Sequence, residues 1–82
     1  MPKYLDHHPM GQMPPAMVDQ IKANLKAGKA DKFGVKGLNV FAAKTEGWCL
    51  TDSPNADAVC KSHEAMGIKL DMGHVSEVMV LG

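Results

Sequence analysis

Eighty-two residues with 45% apolar and 22% charged side chains suit one small globular domain, 1–82, and exclude a disordered chain. Nine lysines balance nine acidic residues and arginine is absent, so the chain lacks the guanidinium fork that favours phosphates and base edges, and nucleic acid is not an expected partner. No apolar run approaches membrane-spanning length, Met1-Pro2-Lys3-Tyr4 has no apolar leader core, and two cysteines cannot make a disulfide framework; the expected location is the cytoplasm, with no membrane partner.

The first expected element is a strand over Lys3-Tyr4-Leu5-Asp6-His7-His8, ended by Pro9. Period 2 places Tyr4, Asp6 and His8 on one face and Lys3, Leu5 and His7 on the other. Met10-Gly11-Gln12-Met13 reads as a loop. Pro14-Pro15 then opens a helix to about Ala27, with Met17, Val18, Ile21 and Leu25 as its apolar stripe and Gly28 at the stop. A polar connection leads to a strand over Val35–Lys44, in which Leu38, Val40 and Ala42 alternate with Asn39, Phe41 and Ala43. Thr45-Glu46-Gly47 turns it back into a strand through Trp48-Cys49-Leu50.

Asp52 or Ser53 can cap a second helix, and Pro54 suits its first turn. Ala56, Val59, Cys60, His63 and Met66 share one face of that helix at 3.6-residue spacing. After a loop from Gly67 to Gly73, His74–Leu81 reads as the last strand. The order β-α-β-β-α-β describes a ferredoxin-like α+β domain. Its antiparallel sheet has four strands, the first and third in the middle, with both helices on one face. The uncovered face of so small a sheet suggests a homodimer, as in dimeric α+β barrels.

Asp6-His7-His8 is the densest polar group. A carboxylate and imidazoles are borderline ligands for nickel, zinc, cobalt or copper. Alternation lets Asp6 and His8 converge while His7 points away. If Leu5 faces the helices, His7 is the member that approaches His63, and Asp6 and His8 face the open side. Cys49 admits two readings, a nucleophile activated by His63 or a buried strand cysteine, and the absence of a glycine-rich oxyanion loop favours the second. Cys60 reads as core and His74 as a surface residue. Pro2 as a terminal-amine base is disfavoured, because no arginine is present to hold an anionic substrate.

Tyr4-Leu5-Asp6-His7-His8, Cys49-Leu50 with Pro54, Ala58-Val59 and His63, then Gly67 and Glu77-Val78 together carry a resemblance. The chain resembles a small bacterial family of ferredoxin-like domains, most without an assigned function and some described as nickel-binding proteins. The family's Tyr/Phe-x-Asp-x-His pattern matches Tyr4, Asp6 and His8. Its Cys-Leu-x-x-x-Pro pattern, with a histidine nine residues after the proline, matches Cys49, Leu50, Pro54 and His63. The resemblance implies a dimer and a Ni(II) or related site using His8 and His63 with Asp6, His7 being a further candidate ligand. Two departures stand out: many relatives carry a histidine on the first helix, where this chain has Ala23 and Asn24, and others carry one beside the glycine after the second, where it has Met66 and Ile68. The expected function is sequestration or sensing of a divalent metal. The alternatives are a small-molecule enzyme using His63 with Cys49 or Asp6, and a structural interaction domain.

Overall fold

Strand β1, Lys3–Pro9, is central to the sheet and decides where the polar residues go. Its exposure alternates at every residue, burying Tyr4, Asp6 and His8 and leaving Lys3, Leu5 and His7 half-buried on the opposite side. This settles the open question of parity: Leu5 lies on the uncovered face, and the face under the helices carries the carboxylate and His8. The computed structural model describes residues 1–10 and 14–82, so the expected loop residues Gly11, Gln12 and Met13 lie outside it.

Helix α1 spans Pro15–Ala27, with proline in the first turn where its missing N–H is not needed. Gly28 ends it at φ +63, the left-handed conformation that glycine adopts without a Cβ penalty. The expected stripe faces inward only loosely. Val18, Ile21 and Leu25 are half-buried, Met17 is exposed, and no α1 residue is buried. Strands β2, Lys36–Ala42, and β3, Glu46–Asp52, form an antiparallel hairpin. A register shift between Gly37 and Asn39 takes Leu38 out of the alternation expected for it.

Helix α2 spans Ala56–Ala65, and its cap is Asn55, whose side chain accepts a 2.8 Å hydrogen bond from the Ala58 N–H. The expected caps Asp52 and Ser53 are used otherwise. Asp52 ends β3 and pairs with Lys3, while the Ser53 hydroxyl donates to the Asn55 carbonyl. Asn55→Ala is expected to cost about 1 kcal/mol. In a domain this small that lowers Tm by about 4–8 °C, which a thermal melt followed by circular dichroism checks. The buried face of α2 is Ala58, Val59, Ser62 and His63, rotated from the expected stripe so that Met66 is exposed.

A short 3-10 turn, Met72–His74, leads into β4, Val75–Val78, which is shorter than the expected His74–Leu81. The sheet order is β2-β3-β1-β4 with every pair antiparallel, and both helices cover one face: a βαββαβ ferredoxin-like domain. Its apolar core is small: Tyr4, Val59 and Leu70 form one cluster with Ala56, Cys60 and Val75 packed against it, and Val35 and Ala58 are also buried. Among the described residues, no helix is long and apolar enough to cross a membrane.

Candidate metal centre

Antiparallel register places Asp6 directly opposite Cys49 on β1 and β3, and His8 lies one pleat further along the same face. Helix α2 crosses that face and brings His63 down from above. Asp6, His8, Cys49 and His63 each offer one ligand atom within 4.8 Å of all the others. Metal bonds of about 2.0–2.3 Å span at most ~4.6 Å across an ion, so the four donors need close only slightly around one.

The two imidazoles are held as metal-binding histidines usually are. His63 Nδ1 lies 2.9 Å from the Val59 carbonyl, one helical turn earlier, and His8 Nδ1 lies 3.1 Å from the Pro9 carbonyl. A carbonyl can only accept, so each Nδ1 carries the hydrogen and each Nε2 is directed to the cluster. This outer hydrogen bond fixes tautomer and ring orientation. His8 Nε2 is 3.9 Å from Cys49 Sγ, and the two rings meet edge-on with centroids 5.3 Å apart.

The electrostatics of the group centre on Asp6. Asp6 is fully buried, and neither of its oxygens makes an aligned hydrogen bond. Among the described residues its one counter-charge is His63, with Nε2 3.3 Å from Oδ1. Burial works against a charged His63 ring, but the adjacent Asp6 carboxylate and the Cys49 sulfur outweigh it and raise the imidazole to about 10. A buried carboxylate is costly unless paired and hydrogen-bonded. An Asp, two His and a Cys in this disposition form a borderline N/O/S donor set that fits a divalent transition metal.

Of the residues expected to ligate, Asp6, His8 and His63 are brought together and His7 is not. His7 points to the uncovered face, stacks on His74 at 4.3 Å and lies 3.0 Å from Glu46. Strand alternation excludes it from a site under the helices. His74, expected to stand alone at the surface, therefore has a partner. His7→Ala is expected to leave metal affinity unchanged in an equilibrium dialysis measurement. Cys49 is the member that the ligand expectation omitted; its signal was the antiparallel pairing that sets it beside Asp6. The second thiol, Cys60, packs against the core, and burial with the Asp57, Asp6 and Asp71 carboxylates pushes it up, keeping it protonated.

No family model and no protein of curated function matches the chain. Among solved structures it is similar to SCO4226 from Streptomyces coelicolor A3(2), with 27% identity and a TM-score of 0.71. The match covers 98% of this chain and 99% of that one, so the likeness extends over the whole ferredoxin-like domain.

Proposed function

We propose that the protein binds one divalent transition metal ion per chain through Asp6, His8, Cys49 and His63, as a sequestering or sensing protein. The observation that carries this is Asp6, a fully buried carboxylate without an aligned hydrogen bond, facing two imidazoles whose Nε2 atoms are directed at it and a thiol. The pair with His63 still leaves Asp6 Oδ2 without a partner among the described residues, and an unsatisfied polar atom at full burial is costly to a core. Nickel is the first metal by resemblance to the ferredoxin-like family with nickel-binding members, and zinc, cobalt and copper suit the same donors.

Cobalt loading tests the ligand set. Co(II) should bind one ion per chain and give an intense near-ultraviolet thiolate charge-transfer band together with visible bands of low coordination number. Cys49→Ser should remove the first and weaken binding. A Co(II) spectrum indistinguishable from the aqueous ion would overturn the reading.

The same reading includes a homodimer through the uncovered face of the sheet. Register places Leu5, Trp48, Leu50 and Phe41 on that face, with Phe41 half-exposed, and the chain's zero net charge sets no barrier between copies. Sedimentation should give twice the chain mass, and Phe41→Lys should return it to the monomer.

A further inference from the structure

Helix α1 packs loosely, with no residue buried. A Cβ added at Gly37 would meet Leu25 Cδ2 at 3.1 Å, so helix and strand nearly touch there. Beside that contact, a cavity of about 430 Å³ lies between residues of α1 and the sheet. Protein interiors are otherwise close-packed, and a gap of this size forgoes many dispersion contacts. It lies within the ~300–1,000 Å³ range of small-molecule sites.

The walls are mostly apolar: Ile21 and Leu25 from α1, Val40 from β2, and Met66 and Ile68 from the end of α2 and beyond. His8, Cys49 and His63 form part of the lining, so three of the four candidate metal ligands border the cavity. Thr51 stands in the same wall, two residues from Cys49 on the same face of β3. It is only 5% exposed, and its hydroxyl is buried with no hydrogen-bond partner. Asp31 also borders the space, but the backbone N–H groups of Phe33 and Val35 and the Ser62 hydroxyl occupy its carboxylate.

We infer that this cavity binds a small organic molecule with an apolar body and a single oxygen-donor head. The body lies between α1 and the sheet, and the head meets the metal held by the neighbouring donors. The inference rests on the metal reading above and adds to it a ligand-binding role. It follows from the combination of a partly open, mostly apolar cavity and a polar donor cluster that borders it, the arrangement by which small-molecule sites fix orientation.

The test uses Co(II)-loaded protein and two probes with the same head, benzohydroxamate and acetohydroxamate, followed through the visible cobalt bands. Benzohydroxamate should bind about tenfold or more tightly, because its ring leaves water for the apolar walls. Ile21→Trp, which fills the cavity from the loosely packed α1, should abolish that preference while cobalt affinity and the circular dichroism spectrum stay unchanged. Equal affinity for the two probes, or a preference that survives Ile21→Trp, would overturn this inference and leave the metal reading intact. Failure of Co(II) to bind at all would overturn both.

Discussion

His63→Ala should abolish metal binding and, separately, destabilise the metal-free protein. Removing a ligand costs more than removing its outer hydrogen-bond partner, which typically costs 10–100-fold in affinity. A loss of about 100-fold or more is therefore expected in a calorimetric titration. The stability effect has a different origin. Without His63, the Asp6 carboxylate stays fully buried with no counter-charge, and breaking a buried pair by removing one partner costs about 3–5 kcal/mol. For a domain of this size that is at least ~12 °C in Tm. His8→Ala separates the two effects: it should lose the metal equally while sparing the Asp6–His63 pair, so its metal-free Tm should fall far less.

Metal should also raise the melting temperature of the wild-type protein strongly. An ion that binds only the folded chain, at 100 times its Kd, adds ~2.7 kcal/mol. With about 4–8 °C per kcal/mol, the rise is about 10–20 °C. The effect is large because the ion binds only where folding has brought the four donors together. It should vanish in His8→Ala and on adding a chelator.

The same pair gives the metal-free protein a pH dependence. In the folded chain His63 is raised from 6.5 to about 10, so folding holds its proton more tightly than the unfolded chain does. That contribution is complete below about pH 6.5 and is lost as pH rises through about 10. Metal-free Tm should therefore decline over this window and flatten in Asp6→Asn. An incoming ion must displace the same proton, so metal affinity should rise with pH across the window.

The elements were largely legible because their signals are local. Pro15 and Gly28 bracket α1 through one missing donor and one positive φ, and β1 ends at Pro9 as its ring requires. Legibility stopped where tertiary context chose between equal local options. Either face of β1 could have met the helices, since Leu5 and Tyr4 are both suitable core residues. The chain buries Tyr4 against Val59 and Leu70, and Asp6 and His8 follow it inward.

Cys49 was hidden for a similar reason. A strand cysteine between apolar neighbours looks like core until the β1–β3 register sets it opposite Asp6. Asn55 was displaced as a cap by Asp52 and Ser53, which are equally good acceptors; Asp52 continues β3 and thereby moves the helix start onward. The cavity had no local signal at all. The stripe of α1 is amphipathic in the ordinary way, and only the assembled domain shows that it hangs over space rather than closing on the sheet.

The most direct test of the central claim is calorimetric titration of the metal-free protein with Ni(II), Zn(II) and Co(II), beside His8→Ala and His7→Ala. One ion per chain, bound at micromolar or tighter Kd, lost in His8→Ala and kept in His7→Ala, is the predicted result. Binding that survives His8→Ala but disappears in His7→Ala would move the site to the uncovered face of the sheet, and no heat above a buffer control would leave Asp6 and His63 as a buried structural pair alone.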